Sequence, residues 1–100
     1  MSELTHRLLV AYDIVDDRRR SSLANVLSRH GDRVQYSVFV VDARSARRVR
    51  LESEISDIID RRVDSVLICD IGPAHDIPPS RLTLMGVRRV RGSGDGPLVL

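Results

Sequence analysis

The chain has no lysine and no tryptophan, and it contains one cysteine and three aromatic residues. The lone cysteine, Cys69, cannot form an internal disulfide, and the apolar run around it predicts a buried, small hydrophobic side chain. Three aromatic residues are too few for the stacking platforms on which some RNA-binding domains hold unpaired bases. Any nucleic acid is therefore expected to be held by its phosphate backbone.

Long apolar runs are also absent. The longest, such as Leu8–Tyr12 and Val38–Val41, are far too short to span a bilayer. Met1–Arg7 is polar and lacks the basic start and the apolar stretch of a signal peptide. We therefore expect a cytoplasmic protein with no membrane partner.

Common nucleotide and metal motifs are missing as well. The sequence contains no Walker loop and no GxGxxG pattern, so a nucleotide-phosphate cradle is unsupported. The three histidines, His6, His30 and His75, are far apart and form no metal-ligand spacing with Cys69.

Positive charge comes from arginine alone. All 16 basic residues are arginine, against 14 acidic residues, which gives a formal net charge of +2. The planar guanidinium suits phosphate oxygens better than a lysine ammonium does, although genomic codon bias would produce the same composition. The charge permits a nucleic-acid partner without demanding one.

Hydrophobic periodicity predicts an α+β fold. The predicted elements are a strand over Arg7–Ile14, a helix over Asp17–His30 capped by Asp16, a strand or tight strand pair over Arg33–Val41, a helix over Ala46–Arg62, and strands over Ser65–Ile71, Arg81–Val87 and Pro97–Leu100. This order fits a ferredoxin-like βαββαβ sandwich with a short extra C-terminal strand. Residues 1–80 would form the ferredoxin-like domain. Residues 81–100 would provide C-terminal strands and a flexible basic tail that complete a dimer or dock a partner.

Both faces of the first two predicted strands are apolar, as in sheets that are covered on two sides. Two helices can cover only one face of such a sheet. Alternation along each strand assigns the uncovered face to Leu9, Ala11, Phe39 and Val41. Because an exposed apolar face needs a partner, these residues predict a homodimer interface.

Asp13 ends the first predicted strand on that same face. A carboxylate at the end of an apolar strand costs desolvation free energy unless a partner compensates it. It could bond the backbone of the following turn. It could also bind Mg²⁺, which keeps several waters and commonly takes one or two carboxylates. A two-fold axis near Asp13 would supply the second carboxylate, so we predict one Mg²⁺ shared by Asp13 of both subunits.

Arg18, Arg19 and Arg20 open the first predicted helix, where positive charges oppose the helix dipole. This placement indicates either contacts to a phosphate ligand or a solvated helix face. Ser37 could hydrogen-bond a phosphate or a metal-bound water near Asp13. No base within sequence reach makes Ser37 a credible nucleophile.

Two motifs in a fixed order and spacing are highly specific. The first is LLVAYDI followed by VDDRRRSSLANVL over Leu8–Leu27, and the second is HGDRVQYSVFV over His30–Val40. Together they resemble the CRISPR-associated protein 2 family, and a weaker similarity continues through Asp64–Ile71.

The resemblance implies a ferredoxin-like homodimer in which Asp13 faces its symmetry mate. Asp13 would then be the Mg²⁺ ligand and catalytic residue of a metal-dependent endonuclease that cleaves RNA or DNA. The family's arginines after that aspartate match Arg18 and Arg20 best, and Arg33, Ser37 and Phe39 match the second motif. With Arg19, which opens the same helix, the predicted nucleic-acid contacts are Arg18, Arg19, Arg20, Arg33 and Ser37. The chain differs at Ser22, where some nuclease-active relatives carry another arginine.

The resemblance further implies a role in CRISPR spacer acquisition. The expected partners are double-stranded DNA and a CRISPR-associated integrase, whose subunits the dimer would bridge, with single-stranded RNA as a further ligand. The alternative hypothesis is a stand-alone ribonuclease toxin of the virulence-associated protein D type.

Overall fold

The computed structural model describes residues 4–86, whose main elements follow the predicted order. The elements are β1 (His6–Asp13), α1 (Asp17–His30), β2 (Gly31–Gln35), β3 (Val38–Ala43), α2 (Ser45–Ile58) and β4 (Ser65–Pro73), followed by short 3-10 turns at Ala74–Asp76 and Pro79–Arg81. The strands form one antiparallel sheet in the order β2-β3-β1-β4. This is the predicted ferredoxin-like βαββαβ arrangement, which is confirmed.

Helix α1 begins and ends where local sequence signals place it. The Asp16 side chain accepts a hydrogen bond from the backbone N–H of Arg19 at 2.9 Å, as an N-cap does. Gly31 follows the helix and starts β2. A Cβ at Gly31 would lie 2.1 Å from the carbonyl oxygen of Val40, so only glycine lets β2 approach β3 here.

Helix α2 is shorter than predicted, because it ends at Ile58 and not at Arg62. The residues that follow form a tight turn in which the Asp60 carbonyl accepts from the backbone N–H groups of Val63 and Asp64 at 3.1 and 2.8 Å. The Asp60 backbone N–H in turn donates to the Asp64 side chain at 2.9 Å. Neither helix within residues 4–86 has the length and apolar character needed to cross a bilayer.

The segment predicted as one strand or a tight pair is a pair, joined by a turn at Tyr36 and Ser37. The predicted strand over Arg81–Val87 is wrong for residues 81–86, since Arg81 ends a 3-10 turn and residues 82–86 are irregular. Val87, the basic loop and the terminal strand over Pro97–Leu100 lie outside the described residues.

The helices cover one face of the sheet and bury the core there. This face carries Leu8, Val10, Tyr12, Phe39, Val41 and Ala43, which pack with Leu23, Leu27, Leu51 and Ile55 of the helices. Phe39 and Val41 are both 0% exposed in the single chain. Their assignment to the dimer interface is therefore wrong. Val10 pairs with Phe39 across the two strands, so even-numbered residues of β1 share a face with odd-numbered residues of β3.

The uncovered side, here called the open sheet face, retains Leu9 and Ala11 from the prediction and gains residues from β3 and β4. By strand register it carries Leu9, Ala11, Val38, Val40, Leu67 and Cys69. Leu67 is 61% exposed, and Cys69 is exposed, so the prediction of a buried Cys69 is wrong. Leu82 and Leu84 line one cavity with Leu9 and Val38, so the chain after β4 runs over part of this face.

Candidate active site

Asp13 is an exposed carboxylate at the carboxyl end of β1, opposite Ser65 of β4. It lines a shallow depression together with Ala11, Ser65 and Leu67. Within residues 4–86 its carboxylate has no hydrogen-bond or ion-pair partner. The structure therefore does not show the turn-capping role that the sequence left open for Asp13. The carboxylate stands at the edge of the open sheet face.

The turn between β2 and β3 lies against this end of β1. The Tyr12 backbone N–H donates to the Ser37 carbonyl at 3.1 Å, and the Tyr12 hydroxyl donates to the Tyr36 carbonyl at 3.2 Å. The Ser37 backbone is thus hydrogen-bonded to the residue that directly precedes Asp13.

Arg33 holds this turn in place. Its Nε donates to the Tyr36 carbonyl at 3.0 Å, and its Nη2 donates to the Tyr12 hydroxyl at 3.3 Å. Its guanidinium also lies 5.2 Å from the ring centroid of Tyr36 and 5.3 Å from that of Phe39. Arg33, predicted to bind nucleic acid, therefore positions the turn within this chain.

Arg19 is engaged in a structural ion pair. Its Nε and Nη2 donate to the two carboxylate oxygens of Asp64 at 2.7 and 3.2 Å, and the Asp64 side chain is 0% exposed. Asp64 also accepts from the backbone N–H groups of Val15 and Asp60. The hydrogen bond from Arg19 holds the pKa of Asp64 well below its usual value, so the pair is charged. It ties the start of α1 to the turn before β4.

The two arginines on either side of Arg19 differ in whether their side chains have a partner within the chain. Arg20 donates through Nε and Nη2 to the Ile14 carbonyl at 3.2 and 2.9 Å, and it forms an ion pair with Asp17. Arg18 is exposed and has no side-chain partner within the described part of the chain. Of the three arginines that open α1, Arg18 is thus the one that residues 4–86 leave available to an external phosphate.

Asp13 is the side chain at this end of the sheet that could hold a divalent cation. Residues 4–86 contain no group of three or more histidine, cysteine, aspartate or glutamate side chains that could hold a metal ion. A single chain offers the unpartnered carboxylate of Asp13, which matches the few protein ligands that Mg²⁺ takes. A symmetry-related Asp13 would complete the donor set.

Tyr36 was not singled out by the sequence as a site residue. It is 71% exposed, whereas the other two aromatics, Tyr12 and Phe39, are buried. Arg33 lies over its ring, and the hydrogen bonds to its carbonyl fix its backbone. The signal that could have found Tyr36 is its position in the predicted tight strand pair, because residues of a connecting turn commonly face solvent.

These features define a class of protein: a small ferredoxin-like chain with one open sheet face and a free carboxylate at the edge of that face. The chain matches the family described as CRISPR associated protein Cas2 over residues 6–76. It belongs to this family, as the resemblance implied.

Curated relatives and solved structures agree with that assignment. The chain is 38% identical over 76 residues to CRISPR-associated endoribonuclease Cas2 1 of Rhodospirillum rubrum, covering 76% of this chain and 74% of the relative. It is 34% identical over 76 residues to CRISPR-associated endoribonuclease Cas2 of Geobacter sulfurreducens, covering 76% and 80%.

Among solved structures, a hypothetical protein from Thermus thermophilus, TT1823, superposes with a TM-score of 0.72 at 30% identity, covering 86% of this chain and 96% of that one. Streptococcus pyogenes Cas2 superposes with a TM-score of 0.70 at 27% identity, covering 80% and 99%. Family membership favours the CRISPR assignment over the toxin alternative.

Proposed function

We propose that this chain is a homodimeric, Mg²⁺-dependent endoribonuclease of the Cas2 family that also binds double-stranded DNA during CRISPR spacer acquisition. The ribonuclease activity follows the names of its curated relatives. The observation that carries the proposal is the unpartnered Asp13 carboxylate at the edge of the open sheet face.

Dimerisation through the open sheet face would complete the site. Leu9, Ala11 and Asp13 alternate onto the same side of β1, so a two-fold axis that crosses this face near the end of β1 would bring two Asp13 carboxylates together. Two facing carboxylates repel each other unless a cation or a proton lies between them. Exposed Leu67 adds apolar area to the same face, which a second copy would remove from water.

The residues around Asp13 have separate tasks in this proposal. A bound Mg²⁺ would offset phosphate charge and activate a water for attack on the phosphodiester. The exposed ring of Tyr36 would stack an unpaired base, Ser37 would hydrogen-bond a phosphate oxygen, and Arg18 would offset its charge. Arg19, Arg20 and Arg33 would hold the start of α1 and the β2–β3 turn in position.

Spacer acquisition is the wider role that we propose from family membership. The dimer would bind duplex DNA in the cytoplasm and bridge the subunits of a CRISPR-associated integrase. Residues 81–100 remain our candidate for completing the dimer or docking this partner.

The test is Asp13→Asn, which removes one charge and keeps the shape of the side chain. We expect Mg²⁺-dependent cleavage of single-stranded RNA to be lost while light scattering still gives twice the monomer mass of 11.2 kDa. Asp57→Asn is the matched control, because Asp57 is an exposed carboxylate on α2 without a partner in residues 4–86. Metal-dependent cleavage that persists at the wild-type rate in purified Asp13→Asn would contradict the proposal.

A further inference from the structure

A groove lined by arginines lies at the start of α2, at the opposite end of the sheet from Asp13. Arg44, Arg47 and Arg50 line it, together with the small side chains of Thr5, Ala43 and Ala46. These arginines are spaced by three residues and therefore follow one face of the helix over about 9 Å. We call this surface the α2 arginine groove.

The positive charge of this groove is not neutralised within the described residues. Among residues 4–86, Asp42 is the one carboxylate in its lining, and Arg7 pairs with it through two hydrogen bonds of 2.8 and 3.0 Å. Arg44 and Arg50 are exposed, and their side chains have no partner in the same part of the chain.

The third arginine of the groove, Arg47, donates to acceptors that carry no negative charge. These are the Nδ1 atom of His30 at 3.2 Å and the Arg29 carbonyl at 3.3 Å. Its hydrogen bonds fix the side chain against the end of α1 without offsetting its charge. Three guanidinium charges therefore remain available to an anion.

At the start of α1, in contrast, most of the arginine charge is paired with carboxylates. There Arg19 and Arg20 are paired with Asp64 and Asp17, and Asp13 adds a free negative charge. A polyanion is consequently attracted more strongly to the α2 arginine groove than to the end of the sheet that carries Asp13.

We propose that the α2 arginine groove binds the phosphate backbone of duplex DNA. This inference rests on the proposed function, in which nucleic acid is the partner, and it assigns the surface that holds the duplex. No aromatic side chain of residues 4–86 lines the groove, so it suits phosphates of a stacked duplex and not unpaired bases. The eight residues of β1 place it roughly 23 Å from Asp13, so binding and cleavage are separable.

The test is the double variant Arg44→Gln/Arg50→Gln, which leaves Arg47 and its hydrogen bond to His30 intact. Its affinity for two duplexes of unrelated sequence is measured at several salt concentrations in EDTA. We expect weaker binding to both, and a log–log salt slope that is shallower by about 0.9 for each phosphate that the variant no longer neutralises. The matched control is Arg61→Gln/Arg62→Gln, which removes the same charge beyond the other end of α2.

Three outcomes would overturn the inference. If the control flattens the slope as much as the test variant does, net charge and not the groove controls binding. If the wild type binds duplex and the test variant has an unchanged slope, the duplex lies elsewhere, while the proposed function stands. If the wild type binds no duplex in EDTA, both the groove and the DNA-binding part of the proposed function are wrong.

Discussion

Substitution of Phe39 distinguishes a core residue from an interface residue. Phe39 is 0% exposed. The centroid of its ring lies 6.3 Å from the ring centroid of Tyr12 and 5.3 Å from the Arg33 guanidinium. Phe39→Ala should therefore cost about 3–5 kcal/mol of the free energy of unfolding. For a domain of this size, each kcal/mol lowers the melting temperature by about 4–8 °C, which gives a fall of about 12–40 °C.

The assay is thermal unfolding followed by circular dichroism, with light scattering on the same samples. Leu67→Asp is the comparison, because Leu67 is 61% exposed on the open sheet face. We expect Leu67→Asp to yield a folded monomer, since it would bury a charge at the proposed two-fold contact. A Phe39→Ala protein that melts within a few degrees of the wild type but is monomeric would refute the assignment of Phe39 to the core.

Two further predictions concern the candidate site and its support. Tyr36→Ala should weaken binding of single-stranded RNA by about 5- to 150-fold, because base–aromatic stacking contributes about 1–3 kcal/mol. In the same filter-binding assay, Tyr36→Phe should bind single-stranded RNA like the wild type, and Tyr36→Ala should bind duplex DNA like the wild type. If Tyr36→Phe loses as much RNA affinity as Tyr36→Ala does, the result would argue against stacking. Arg19 lowers the pKa of Asp64, so this carboxylate stabilises the fold above its unfolded-state pKa of about 4 and loses that effect as the pH falls towards the folded-state value. The difference in the free energy of unfolding between the wild type and Asp64→Asn, from urea titrations, should therefore shrink from pH 7 to pH 3, and a constant difference would contradict the ion pair.

Features set by neighbouring residues were predictable from the sequence. Asp16 caps α1 through a backbone group three residues away, and the stripe of Leu23, Val26 and Leu27 is buried as its spacing predicts. The order of strands and helices follows from the same local patterns, and that order restricts the fold to a small number of topologies. Asp13 was likewise identified as a candidate site residue from a local pattern alone, since it is a carboxylate at the end of an apolar strand.

Features set by distant pairing were not predictable in this way. Alternation shows which residues of one strand share a face. The register between β1 and β3 decides which residues of β3 lie on the same side of the sheet as a given residue of β1. The pairing of Val10 with Phe39 placed Phe39 in the core, and the pairing of Leu9 with Cys69 placed Cys69 on the open sheet face. The partner of Arg19 is Asp64, 45 residues along the chain, so no local pattern indicates that this arginine is already paired.

The arginines at the start of α1 were predicted to contact nucleic acid, but paired and unpaired charges are distributed differently at the two ends of the sheet. This difference separates the proposed cleavage site from the proposed duplex-binding surface. At the end of the sheet that carries Asp13, the carboxylates of Asp17 and Asp64 neutralise the charges of Arg20 and Arg19. A phosphate that approaches Asp13 meets Arg18 and little other free positive charge, so in the proposed function a bound cation would offset its repulsion by the Asp13 carboxylate. At the α2 arginine groove the guanidinium charges are already in place, and a phosphate needs no cation. Cleavage should therefore require a divalent metal, whereas duplex binding should not.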